Sequence, residues 1–113
     1  MTATNFDDYV SVMADEAPHA LVLDWYRRLE LTVRDYLAAR GIECRVGRSA
    51  EAVIGNDRLL GSQIATEIGD LRRVRNSVAH SAGPVERDNA VAYARQCSSM
   101  IGVIWKAQDA HTA

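Results

Sequence analysis

The chain has 113 residues, of which 48% are hydrophobic and 25% charged, with a formal net charge of −2 at pH 7 and a pI near 5.9. These values predict a single domain, residues 1–113, that buries one hydrophobic core. They exclude a disordered chain and a protein that attracts nucleic acid through its overall charge, so that any polyanion site has to be local.

The first two predicted helices lie in the N-terminal third of the chain. Residues 5–13 carry apolar side chains at three- and four-residue spacing, and Thr4 is a candidate N-cap. The second helix covers residues 18–40, with Pro18 in its first turn and Gly41 as a stop signal. The stripe of this second helix is formed by Val22, Trp25, Leu29, Thr32, Tyr36 and Ala39.

The third predicted helix follows a loop over residues 42–48 and a short turn over residues 50–54. It covers residues 58–79, and Asn56 or Asp57 is a good N-cap for it. Its inner stripe is Ile64, Ile68, Leu71, Arg75 and Val78.

The fourth predicted helix begins at Pro84, directly after Gly83, so the connection is short and the helix should lie antiparallel to the third. Small residues come first in its stripe, which favours a close approach of helices at its N-terminal half. The stripe is Ala90, Ala94, Cys97, Ile101 and Ile104. Together the four patterns predict an all-α fold, a small up-and-down four-helix bundle.

The cysteines and the hydropathy of the sequence predict where in the cell the protein is located. Cys44 and Cys97 do not form a CxxC pair, which argues against a disulfide framework or a zinc site and fits a reducing cytosol. The first ten residues lack the basic and apolar regions of a signal peptide, and no apolar run approaches the length of a membrane span. We therefore expect a cytoplasmic protein without a membrane partner.

The chemistry of the chain is concentrated at the end of the third helix, in Arg75-Asn76-Ser77-Val78-Ala79-His80. An imidazole exchanges a proton near neutral pH, and a guanidinium binds a phosphate or carboxylate in bidentate fashion. Arg75 and His80 are five residues apart, which is about 140° around an ideal helix. The two side chains therefore point the same way only if the helix frays or a second subunit contributes another copy.

A purely structural role is the alternative for both residues. Arg75 interrupts an apolar stripe, and a buried arginine needs a partner; Glu30 on the second helix is the candidate for an interhelical ion pair. His80 could simply satisfy the free carbonyl groups at the end of its helix.

The segment Arg75–His80 resembles the motif of HEPN-type domains, in which an arginine is followed by Asn, His or Asp, then by three residues and a histidine. The layout is similar over most of the chain: Leu29-Glu30 on a long preceding helix, the loop, the Gly-Pro break and a final alanine-rich helix. The resemblance implies a homodimer in which two motifs face each other and, in many relatives, a metal-independent endoribonuclease that needs no cofactor.

The residue types suit RNA cleavage. His80 would act as general base or general acid, Arg75 would stabilise charge on the phosphate, and Asn76 would orient the imidazole or a phosphate oxygen. A groove shared by the two subunits would bind RNA through rim arginines, which are Arg72, Arg73 and Arg87. The family suggests a toxin or phage-defence context with a cognate antitoxin or partner protein. The competing hypothesis is a non-catalytic dimerisation or adaptor bundle in which the motif is structural.

Overall fold

The computed structural model describes residues 2–42, 53–55, 57–80 and 83–112. Within these ranges four long helices form a compact all-α domain: α1 (Thr2–Glu16), α2 (Pro18–Ala39), α3 (Gly61–His80) and α4 (Arg87–Thr112). The predicted fold class is confirmed. None of these helices is both long and apolar enough to cross a membrane in the described part of the chain.

Helix α2 is the centre of the bundle because it packs against each of the other three helices and most extensively against α4. Eight of its side chains are buried, at the three- and four-residue spacing that aligns them on one face. They are Leu21, Val22, Trp25, Tyr26, Leu29, Val33, Tyr36 and Leu37. The predicted stripe of α4 is buried over its whole length, from Ala90 to Ile104.

The C-terminus of α2 shows why Gly41 stops the helix. Gly41 has a φ of +74°, a conformation that side chains with a Cβ rarely adopt. Its amide donates to the carbonyl of Ala38 at 3.0 Å, and the amide of Ile42 donates to the carbonyl of Leu37 at 2.9 Å. This pair of hydrogen bonds is a Schellman motif, which satisfies two carbonyls that the end of a helix leaves without partners.

The N-terminus of α3 differs from the prediction by three residues. Asp57 Oδ2 accepts hydrogen bonds from the amides of Leu59 and Leu60, at 3.1 and 3.0 Å, so Asp57 caps a tight turn over residues 58–60. The helix begins only at Gly61, whose φ is +76°. The predicted cap Asn56 and most of the predicted turn over residues 50–54 lie outside the described residues, although Val53 and Ile54 are helical.

The N-terminus of α4 also differs, because the helix begins at Arg87 and not at Pro84. The first bond of the helical type runs from the amide of Ala90 to the carbonyl of Glu86 at 3.0 Å, so residues 84–86 form an irregular connection. At the other end of the chain, α1 is longer than the predicted 5–13 and covers Thr2–Glu16.

A buried polar cluster joins the end of α2 to the turn before α3. The Tyr36 hydroxyl donates to Asp57 Oδ2 at 2.6 Å and accepts from Arg40 Nη1 at 2.8 Å, and Arg40 also forms an ion pair with Asp57 Oδ1 at 2.7 Å. Burial disfavours the ionised carboxyl group, but the hydrogen bonds from Tyr36, Leu60 and Leu59 and the charge of Arg40 outweigh it and lower the pKa of Asp57. We call Tyr36, Arg40 and Asp57 the Asp57 cluster.

Trp25, Tyr26 and Trp105 occupy two different environments. Trp25 and Tyr26 are buried, whereas the side chain of Trp105 is 60% exposed. Trp105 and Leu31 border an apolar groove of about 540 Å³ between α2 and α4.

Candidate functional site

The motif residues lie on the last two turns of α3. Arg75 and Asn76 are half-buried, and Arg75 Nη1 donates a hydrogen bond to Asn76 Oδ1 at 3.1 Å. His80 is the last residue of the helix and is exposed. Since α3 remains helical up to His80, the separation of about 140° between Arg75 and His80 applies within one chain.

Arg75 and Asn76 open onto a pocket of about 490 Å³ between α2 and α3, which we call the α2/α3 pocket. The wall from α2 carries Leu23, Asp24, Tyr26, Arg27 and Glu30, and the wall from α3 carries Arg72, Arg75 and Asn76. The structure thus brings together four of the residues singled out in the sequence, namely Glu30, Arg72, Arg75 and Asn76. His80 is not among the residues that line this pocket.

The expected ion pair between Glu30 and Arg75 is not formed, although both residues line the α2/α3 pocket. Within the described residues, Glu30 forms its ion pair with Arg34, one turn further along its own helix, at 3.9 Å. Arg75 is only half-buried and keeps its hydrogen bond to Asn76, so its charge is not locked in a dry core. The reason is local, because a partner four residues away on the same helix is reached without bridging two helices.

Arg72, Arg73 and Arg87, the arginines predicted to line the RNA groove, do not lie together within one chain. Arg72 lines the α2/α3 pocket, while Arg73 forms an exposed ion pair with Asp70 of its own helix. Arg87 faces α1, where it forms an ion pair with Asp15; this carboxylate raises the pKa of the guanidinium above its ordinary value. Arg87 therefore links α4 to α1 through an ion pair, and it does not line the pocket that contains Arg75.

The small residues at the start of the α4 stripe allow the close approach of helices that the sequence predicts, but within the single chain. Ala90 and Ala94 are fully buried in the core of the single chain, so they allow the close packing of its own helices. Ala92, which lies between them and is not part of the stripe, is exposed. A dimer interface at this end of α4 would not rest on the small residues of its stripe.

Arg27 is the functional candidate that the sequence patterns did not reveal. It is exposed on α2, four residues after Leu23 and three before Glu30, and lines the α2/α3 pocket opposite the motif. No helical stripe or motif contains it, and its proximity to Arg75 arises only from the packing of α2 against α3.

Within the described residues, the structure contains neither a metal-binding cluster nor an accessible thiol. No group of three or more His, Cys, Asp or Glu side chains is placed there to hold a metal ion. Cys97 is buried, and burial raises the pKa of its thiol to about 12, so it is a core residue and not a nucleophile. Cys44 lies outside the described residues.

No family model, curated protein or solved structure matches this chain. The motif on α3 and the α2/α3 pocket are therefore the features that bear on its function.

Proposed function

We propose that the protein is a HEPN-type, metal-independent endoribonuclease that acts as a homodimer. The observation that carries the proposal is the position of Arg75 and Asn76. They are hydrogen-bonded to each other at the mouth of a pocket that also contains Arg72, one turn before an exposed histidine at the end of the same helix. A guanidinium without a carboxylate partner is suited to bind a phosphate.

The proposed reaction is transesterification of RNA. The 2′-oxygen attacks the neighbouring phosphorus, its proton passes to a general base, and the bond from phosphorus to the 5′-oxygen breaks as that oxygen receives a proton from a general acid. The products are a 2′,3′-cyclic phosphate and a 5′-hydroxyl. His80 supplies the base or the acid, and Arg75 stabilises the extra negative charge on the phosphate oxygens in the transition state.

A second subunit completes the site in this proposal. Arg75 and His80 diverge by about 140° on one helix, so one chain does not present both to the same phosphate. A twofold axis beside the end of α3 would bring Arg75 of one protomer towards His80 of its partner. The cytoplasmic location, the toxin or defence role and a cognate antitoxin remain parts of the proposal that follow from the family resemblance.

The test of the proposal is RNA cleavage in EDTA by the parent protein and by Arg75→Ala. We expect cleavage by the parent and a decrease of about 10²–10³-fold in the variant, the range for removal of one donor that stabilises transition-state charge. The thermal unfolding midpoint should change little, because Glu30 already has Arg34 as its partner and Arg75 is only half-buried.

The same pair of measurements separates the endoribonuclease from the adaptor bundle. An adaptor bundle would leave RNA intact in the parent as well as in Arg75→Ala. Because Glu30 pairs with Arg34 and its side chain is 42% exposed, Arg75→Ala leaves no buried carboxylate without a partner, so a loss of cleavage in this variant is not a consequence of unfolding. A parent that leaves RNA intact in EDTA would contradict the proposed function.

A further inference from the structure

The α2/α3 pocket carries guanidinium groups on both of its walls, and the motif contributes only Arg75. Three guanidinium groups line it, one from α2 and two from α3, against two carboxylates of α2. The carboxylates are already engaged by arginines that do not line the pocket. Asp24 pairs with Arg28 at 3.0 Å, and Glu30 pairs with Arg34 at 3.9 Å.

Arg27 and Arg75 are the two guanidinium groups that these carboxylates leave available. Neither forms an ion pair within the described residues, and the hydrogen bond of Arg75 goes to the neutral amide of Asn76. One comes from each wall of the pocket. Two cations on opposite walls, neither of them in an ion pair within the described residues, favour an anion between them.

The remaining lining gives the pocket an apolar side. Leu23 and Tyr26 belong to the α2 wall, next to Arg27. The volume of about 490 Å³ is in the range of pockets that hold small organic ligands. Because Tyr26 is only 9% exposed, Leu23 is the more accessible of the two, and a nucleotide base would contact this wall by apolar packing.

We propose that the α2/α3 pocket binds one nucleotide of a single-stranded RNA next to the bond that is cleaved, with its phosphate between Arg27 and Arg75 and its base towards Leu23 and Tyr26. This inference rests on the proposed endoribonuclease function and adds Arg27 as a substrate-binding residue on α2. The RNA strand then continues from the motif on α3 towards α2, away from Arg87 on the α1 side.

Arg27→Gln tests the pocket directly, and Arg95→Gln is its matched control. Arg95 is also an exposed arginine, but it pairs with Asp7 and borders a different pocket. The probe is a fluorescent single-stranded RNA octamer with 2′-O-methyl groups, which binds but offers no 2′-hydroxyl for attack. Anisotropy titrations at several salt concentrations measure Kd and its salt dependence.

We expect Arg27→Gln to weaken octamer binding and to reduce the slope of log Kd against log salt by about 0.7, the effect of one lost phosphate contact on a single strand. On cleavable RNA the same variant should raise KM several-fold and should lower kcat much less than Arg75→Ala does. Arg95→Gln should match the parent in all of these measurements.

Three results would test RNA binding by the α2/α3 pocket independently of RNA cleavage. Equal Kd and equal slope for the two variants would overturn the inference, even if Arg75→Ala abolishes cleavage and the endoribonuclease stands. Binding of adenosine monophosphate as tight as that of the octamer would also overturn it, since the pocket would then serve a free nucleotide. A reduced slope in Arg27→Gln with a parent that does not cleave RNA would support the RNA pocket and reject the nuclease.

Discussion

Replacing His80 by alanine is expected to lower the rate of RNA cleavage by about 10²–10⁴-fold, the usual contribution of a positioned proton donor or acceptor. His80 is exposed at the last residue of α3, so the loss of its imidazole removes no core packing. The free energy of unfolding should therefore remain within about 0.5 kcal/mol of the parent value. Initial rates on RNA in EDTA and a thermal melt measure the two quantities.

His19→Ala is the control for this prediction. His19 is also an exposed histidine at this end of the bundle, where its Nε2 lies 3.1 Å from the carbonyl oxygen of Gly83, but it is not part of the motif. This variant should retain most of the parent rate. Undiminished cleavage in His80→Ala, or an equal loss in both variants, would contradict the assignment of His80.

The largest expected effect on stability comes from Asp57→Ala in the Asp57 cluster. The side chain of Asp57 is 1% exposed, and its removal leaves the Tyr36 hydroxyl and the Arg40 guanidinium without their carboxylate partner. It also removes the acceptor for the amides of Leu59 and Leu60. We expect a loss of about 3–5 kcal/mol in the free energy of unfolding, measured by urea denaturation.

Asp70→Ala is the matched control for Asp57→Ala. Asp70 also forms an ion pair with an arginine, Arg73, but its side chain is 63% exposed. An exposed pair of this kind contributes about 0–1 kcal/mol. Similar destabilisation by the two substitutions would show that the Asp57 cluster does not stabilise the fold.

The lowered pKa of Asp57 also predicts a dependence on pH. The folded protein holds this carboxyl group ionised more strongly than the unfolded chain, whose aspartate has a pKa of about 3.9. The stabilisation is therefore complete above about pH 5 and is lost as the pH falls through the unfolded pKa towards the lower folded pKa. The difference in unfolding free energy between the parent and Asp57→Ala should shrink in that acidic range and stay constant from pH 5 to 7.

Helical periodicity predicted most of the fold because burial in a bundle follows the spacing of apolar residues. The buried stripe of α4 and the stop of α2 at Gly41 are confirmed for this reason. Helix starts were less predictable. The turn capped by Asp57 delays α3 to Gly61, and such a turn depends on backbone hydrogen bonds that a pattern of apolar residues does not encode.

The candidate site was predictable only in part. A contiguous motif identifies Arg75, Asn76 and His80, since residues close in sequence also lie close on a helix. The partners of Glu30, the position of Arg87 against α1 and the proximity of Arg27 to the motif depend on how helices pack against each other. For long charged side chains, several partners are within reach, so sequence spacing alone does not select one.

Subunit mixing tests the central claim, a site shared between two chains, most directly. Arg75→Ala and His80→Ala are each expected to be inactive, but their heterodimer contains one site with an intact arginine from one chain and an intact histidine from the other. An equimolar mixture, exchanged until light scattering and mass analysis show random dimers, should recover about a quarter of the parent rate on RNA in EDTA. A mixture that forms heterodimers and stays as inactive as either variant alone would contradict the shared site.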